Sequence, residues 1–357
     1  MKQVLNYSIH DVLTFQIVRN KRKDFMKDLN LLLSFFETNE EIDNPDIVLN
    51  IGKFTPSNKN CYVADHKYHI KENYFYCKDS EGKARWEVEI LGFEDGKATI
   101  NFDGTVLGMQ SLLIPDFLPQ NLLLRPLIEY KLAKKGYFLI HAGAVSKNNK
   151  AYLLEGRGGA FKTTLAMDFV RKEGFDFMAD DRVIIHKDKV LSFPIHHTLF
   201  TFRVKHLPTE NPRGLGDKVR MVNYLRNTSK YANNEIKIAN SSKLRALLSI
   251  VKTNKHSISI REANLKDTID KLITSMEMEM EIVYSPRLSG MRVGRYLKYM
   301  LAYSFVFPDS QVATYWNDLR GGLEKILENV PIYEMEIPEN YSSNTFNMVY
   351  EHLGDVI

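Results

Sequence analysis

Eight consecutive residues carry the strongest chemical pattern in this chain: Gly156-Arg157-Gly158-Gly159-Ala160-Phe161-Lys162-Thr163. A glycine followed six residues later by Lys-Thr has the spacing of a phosphate-binding loop. Phe161 stands where that motif has its second glycine. Glycines let the backbone curl until successive N–H groups face a phosphate. In such a loop Lys162 reaches the β- and γ-phosphates and the Thr163 hydroxyl ligates Mg²⁺, with Thr164 following in the same turn. Further on stand two adjacent carboxylates, Asp180 and Asp181. One suits the metal, and the other suits the proton of an attacking hydroxyl. His141, upstream, either hydrogen-bonds that carboxylate or packs as a buried histidine.

These groups need elements to hold them. His141–Val145 and Ala151–Leu154 are short apolar runs around the polar turn Lys147-Asn148-Asn149-Lys150, the pattern of a hairpin. The glycine loop follows directly. A helix is expected from Thr163 to about Lys172, stopped by Gly174, with its positive end toward the anion. Phe175–Ala179 reads as a buried strand. The acid pair then falls at its carboxyl end, where open parallel sheets place ligands.

The run HAGAV … AYLLEGRGGAFKTTLA … GFDFMADDRVII resembles the catalytic core of HPr kinase/phosphorylase-type proteins. The resemblance spans about residues 120 to 205, with a weaker echo near 315 to 338. It implies a P-loop fold akin to phosphoenolpyruvate carboxykinase, ATP with Mg²⁺ as cofactors, and phosphoryl transfer to a hydroxyl, often of serine. It also implies the order of the acids: Asp181 as general base and Asp180, with Thr163, on the metal side. The acceptor it implies is a protein or peptide, a precursor peptide among them. The Phe161 departure leaves Lys162 and Thr163, and so the charge apparatus, in place.

The chain has 357 residues, 44% apolar and 26% charged, the composition of a globular protein. A net charge of +4 permits an anionic ligand without arguing for nucleic acid. Two cysteines, Cys61 and Cys77, give neither a disulfide framework nor a cysteine metal cluster. No secretory signal or membrane-length apolar run is apparent, so the cytoplasm is the expected location, without a membrane partner. A homo-oligomer is left open.

The expected fold class is α/β, a P-loop HPr kinase-like core with an N-terminal mostly β region and a helical insertion. Residues 1–118 form the first domain, with a helix over Phe25–Thr38 and alternating runs at 46–51, 67–70, 74–77, 86–90 and 98–102. His66 and His69 lack a third ligand and suit surface or packing roles. A helix over Asn121–Lys135 ends at Gly136, and 119–338 is the P-loop domain. His186–Phe193 reads as a hairpin, and His196-His197 as strand residues facing opposite ways. Arg203 lies where it either touches a phosphate or caps the sheet edge. The insertion at 208–300 is basic, with Leu244, Leu247, Leu248 and Val251 as a helical stripe. Helices at 295–303 and 315–329, a strand at 332–337 and a tail at 339–357 close the chain.

The reading that follows is an ATP-dependent kinase acting on a hydroxyl. The alternatives are a small-molecule hydroxyl kinase on the same fold and a non-catalytic nucleotide-binding scaffold.

Overall fold

The computed structural model describes residues 1–24, 26–82, 84–106, 110–195, 197–207, 214–227, 236–281 and 296–353. It is a mixed α/β protein with two large sheets, one in each of two compact units. The first unit is Met1–Lys135 with Glu277–Leu319, the second Gly136–Met276 with Arg320–Ile357. The break expected at 118 thus falls inside the first unit, and the expected tail belongs to the second. No described helix is long and apolar enough to cross a membrane.

In the first unit, β1 (Lys2–Ile9) and β2 (Leu13–Asn20) form an antiparallel hairpin. Alternate residues point inward, and the Tyr7 and Phe15 rings stack 4.4 Å apart. Next come a short helix, α1 (Lys27–Asn30), and β3 (Glu37–Thr38). The helix expected over Phe25–Thr38 is therefore corrected to this turn and a separate 3₁₀ turn at Ser34–Phe36; Phe25 lies outside the described residues. Asn30 stops α1. Its side chain donates to Asp24 at 2.8 Å and accepts from the Asp116 N–H at 2.7 Å. Leu31 turns extended, and Leu31, Leu32 and Leu33 are all buried, which no single helical face permits.

Strands β4 (Ile47–Ile51), β5 (Tyr62–Ala64), β6 (Tyr68–Lys71), β7 (Tyr74–Glu81), β8 (Ala84–Leu91) and β9 (Ala98–Val106) complete the sheet. Its order is β3-β1-β2-β4-β9-β8-β7-β6-β5. His66 sits in the β5–β6 turn, and the His69 ring packs on Tyr76. Helices α2 (Gln110–Leu113), α3 (Phe117–Pro119) and α4 (Arg125–Lys134) follow, with a π-helical turn, Gln120–Leu124, leading into α4. Gly136 lies just past its end at φ 77°.

The second unit opens with β10 (Phe138–Ile140), β11 (Ala142–Lys147), β12 (Lys150–Gly156), α5 (Lys162–Glu173) and β13 (Asp176–Ala179). The expected hairpin, helix and strand are all present. Next come β14 (Val183–His186), β15 (Lys189–Leu191), α6 (His197–His206), α7 (Leu215–Arg226), β16 (Ser241–Thr253), β17 (Ser259–Glu262) and α8 (Leu265–Glu281). His197 opens a helix rather than lying on a strand, and His196 is outside the described residues. α9 (Tyr296–Val306) belongs to the first unit, where its Tyr299 hydroxyl accepts from Trp86 Nε1 at 3.0 Å; α10 (Gln311–Leu327), β18 (Ile332–Pro338) and α11 (Ser343–His352) follow.

The sheet of the second unit runs β10-β14-β15-β16-β12-β11-β13, with β18 beside β16 and β17 beside β18. The expected helical stripe of Leu244, Leu247, Leu248 and Val251 is corrected here: these residues lie on β16, parallel to both β12 and β18. Ala246 to Ile250 are buried on both faces of the sheet, which gives the continuous apolar run typical of buried parallel strands. The expected lobe at 208–300 thus includes core strands; its Arg213 and Lys230 lie outside the described residues. Helix α5 and α11 pack on one cluster through Leu165, Phe169, Phe346, Val349 and Leu353. The Gly321-Gly322 pair does not break α10. A Cβ at Gly322 would run into the Phe138 ring, so this glycine serves packing.

Candidate active site

The site forms at an interruption in one long antiparallel pair. β10 pairs with β14, Ile140 opposite Val183, and β11 pairs with β13, Ala144 opposite Ala179. The register at Ile140/Val183 carries on to Ala144/Ala179, beyond which β11 and β13 slip by one residue between Ala144 and Val145. It sets Gly143 against Asp180, Ala142 against Asp181 and His141 against Arg182, the rungs where pairing stops. The chain thereby releases His141 and both aspartates from the ladder at one level. β12 reaches that level too: Ala142 is opposite Glu155, one residue before the glycine loop.

This topology corrects one expectation. β13 is antiparallel to its ladder partner β11, and its parallel pairing is a single bridge, Phe177 to Ile238, on its other side. β11 is also antiparallel to β12, so β13 and β12 run the same way. Their carboxyl ends still lie together, through two reversals.

The loop leaves β12 at Gly156, whose φ is 154°. A Cβ there would approach the Ile250 carbonyl oxygen to 2.7 Å, so only glycine fits between loop and β16. The Ala160 N–H donates to the Arg157 carbonyl at 3.0 Å, which closes the tip as a turn. Gly158 and Gly159 lie on the exposed arc of the loop. Phe161 caps α5 in the left-handed conformation, φ 65° and ψ 12°. That is the backbone geometry for which glycine is favoured, and an L-residue adopts it at a cost of roughly 1–2 kcal/mol. The ring is half-buried and packs against Tyr341, centroids 5.2 Å apart. The Tyr341 hydroxyl in turn donates to Asp168 of α5 at 2.8 Å.

This conformation predicts an unusual order of stabilities. Phe161→Ala should destabilise by about 2 kcal/mol, losing half-buried packing while keeping the strain. Phe161→Gly should cost about 1 kcal/mol less, because glycine relieves the strain. Chemical denaturation of both variants decides it, and an alanine variant more stable than the glycine variant would contradict a left-handed residue 161.

Lys162 is the first residue of α5 and is buried. Its Nζ lies 2.9 Å from His141 Nε2 and also donates to the Gly156 carbonyl. His141 is buried, and its Nε2 is 3.9 Å from Asp181 Oδ1. Lys162, His141 and Asp181 therefore lie in one row from the loop to the acid pair, a hydrogen-bond contact followed by a 3.9 Å approach. Asp181 is the exposed member, with 41% of its side chain accessible. Burial, then the Asp181 charge, pushes the Asp180 carboxyl up to about 6, while Arg203 and Lys162 oppose the rise. Arg203 lies on α6, and its charge lowers the proton affinity of Asp180. Thr163 and Thr164 occupy the first turn of α5, half-buried.

Among the described residues, no group of three or more His, Cys, Asp or Glu side chains is arranged to hold a metal. A carboxylate whose proton affinity is raised by burial and by a neighbouring carboxylate nevertheless suits a hard cation. Mg²⁺ commonly takes one or two carboxylates and completes its shell with phosphates and water.

Beside the loop lies a cavity of about 550 Å³ that the sequence did not reveal. Its wall includes Gly156, Arg157, Ala160, Ile250, Lys252 and Thr274. Glu155 also faces it, buried, accepting from Ser249 at 2.6 Å, its carboxyl held upward by burial. Reading β16 as a strand would have exposed this wall, since its carboxyl end must lie beside that of β12. Compared with known proteins, the chain matches no protein-family model and no curated sequence.

Proposed function

We propose that this protein is an ATP-dependent kinase of HPr kinase-like P-loop type, transferring the γ-phosphoryl group to a hydroxyl. One observation carries the reading: the Lys162–His141–Asp181 row joins a glycine loop at a helix N-terminus to an exposed carboxylate. Phosphoryl transfer needs these parts and little covalent chemistry. The loop residues Gly156 to Thr164 would bind the phosphates, and the adjacent cavity has room for the rest of a nucleotide. Bound Mg²⁺, held by Thr163 and Asp180, would supply charge neutralisation. Asp181 would accept the hydroxyl proton, its exposure leaving it open to an acceptor. His141, whose Nε2 meets Lys162 Nζ at 2.9 Å, would keep Lys162 aligned beside Asp181. A serine of a protein or peptide is the proposed acceptor class, on the resemblance of the sequence.

The test is transfer of label from γ-labelled ATP to serine-bearing peptides and, in parallel, to free hydroxy compounds. Labelled peptide that depends on Lys162 and Asp181 supports the reading. Label on small hydroxy compounds alone moves the acceptor to metabolites. MgATP binding without transfer to any acceptor or to water favours a scaffold.

A further inference from the structure

The left-handed phenylalanine has a neighbour that gives it a use. Lys252 Nζ sits 4.7 Å from the centroid of the Phe161 ring. Lys252 lies near the carboxyl end of β16, two residues beyond Ile250, which is the register partner of Gly156. It lines the same cavity as Gly156, Arg157, Gly158 and Ala160.

The charges around that cavity are mostly matched. Lys271 pairs with Glu334 and Asp270 with Arg320. Glu155 accepts from Ser249. Arg157 finds only a hydroxyl, Ser275 Oγ at 3.4 Å, and Lys252 only an aromatic face. Among the described residues, neither has a carboxylate partner. Arg157 feels the charge of the buried Glu155, whereas Lys252 shows no counter-charge among the described residues; both flank a loop whose own amides and helix end favour an anion. An exposed cation is held weakly by a ring face, more weakly than by a charge-assisted hydrogen bond to a phosphate oxygen. The ring thus restricts where the ammonium waits without competing for it.

We propose that Lys252 is a further phosphate-binding residue of this site, stationed at the lip of the loop by Phe161, and that it grips the polyphosphate of a nucleoside triphosphate. The proposal rests on the nucleotide reading above. It explains the departure at residue 161 as an exchange: the loop gives up glycine's freedom and gains a positioned cation.

Titration calorimetry on the full chain tests it, with MgATP, AMP and inorganic tripolyphosphate as probes. Lys252→Met keeps an apolar stem on the ring and removes the charge. It should weaken MgATP and tripolyphosphate about tenfold or more while moving AMP by less than about twofold. Lys252→Arg should restore most of the loss. Phe161→Leu should weaken both polyphosphates by roughly threefold through the lost ring face. Equal losses for AMP and MgATP, or a Lys252→Met variant that binds both polyphosphates like the wild type, overturn the proposal and leave the nucleotide reading standing. A wild type that binds tripolyphosphate through Lys252 but not MgATP overturns the nucleotide reading and upholds the anion site. A wild type that binds neither overturns both.

Discussion

Lys162→Ala is expected to abolish the stabilisation of this protein by MgATP. A ligand that binds only the folded state adds RT ln(1 + [L]/Kd), about 2.7 kcal/mol at a hundred times Kd. If the substitution weakens binding about a hundredfold, the same concentration adds only ~0.4 kcal/mol. The structure explains why the effect should be specific. Lys162 Nζ is buried between the Gly156 carbonyl and His141 Nε2 and makes no hydrophobic anchor. Its loss removes one charged group from the loop while α5 keeps Leu165, Ala166 and Phe169 in the core. The unliganded variant should therefore melt close to the wild type, and the difference should appear only on adding nucleotide. Lys162→Arg should not rescue, because a planar guanidinium does not substitute for a compact ammonium in a closed pocket. An undiminished melting shift in Lys162→Ala would remove the loop from the account.

The acid pair gives the second large effect, and its two members should behave oppositely. Asp181→Asn should lower turnover by about 10²–10⁴, the usual worth of general-base catalysis, and leave MgATP affinity nearly unchanged. Asp180→Asn should weaken the Mg²⁺ dependence of binding and yet stabilise the unliganded fold. The Asp180 carboxyl titrates near 6 in the folded state, against 3.8 for the free group. Between those values the folded state holds the proton that the unfolded state has lost, so stability falls as pH rises from about 4 through 6. Above pH 7 the penalty is complete, on the order of 1–3 kcal/mol. Asp180→Asn should therefore raise the melting temperature at pH 8 and change it little at pH 4. Mg²⁺ should stabilise the wild type more at pH 8 than at pH 5.5, where protons compete for the carboxylate. A variant less stable than the wild type at pH 8 would contradict the burial of charge at Asp180.

The parts of this site that were legible in the sequence are those set by local rules. The hairpin before the loop, α5 with its stop at Gly174, and the strand before Asp180 all follow from turn residues and short apolar runs within a few dozen positions. The illegible parts depend on distant pairing. Nothing local in Ser241–Thr253 separates a buried strand from a helix, because both faces are apolar between Ala246 and Ile250. With that strand misread, Lys252 and the cavity had no place beside the loop. The interruption that frees His141, Asp180 and Asp181 lies between two separate strand pairs, β10 with β14 and β11 with β13, which no single segment encodes. Asn30 shows the same limit. The apolar spacing after Lys27 reads as a helix until Asp116, far along the chain, engages the Asn30 side chain. Phe161 was the visible exception to the motif. Its left-handed backbone indicates that the glycine geometry persists without the glycine.

The central claim, that this loop binds the phosphates of a nucleotide, is tested most directly by calorimetric titration of MgATP into wild-type protein and into Lys162→Ala. Saturable, Mg²⁺-dependent binding near one equivalent is expected in the wild type, weakened about a hundredfold by the substitution. A wild type with no binding heat and no melting shift at millimolar MgATP, or a variant that binds as tightly as the wild type, would contradict it.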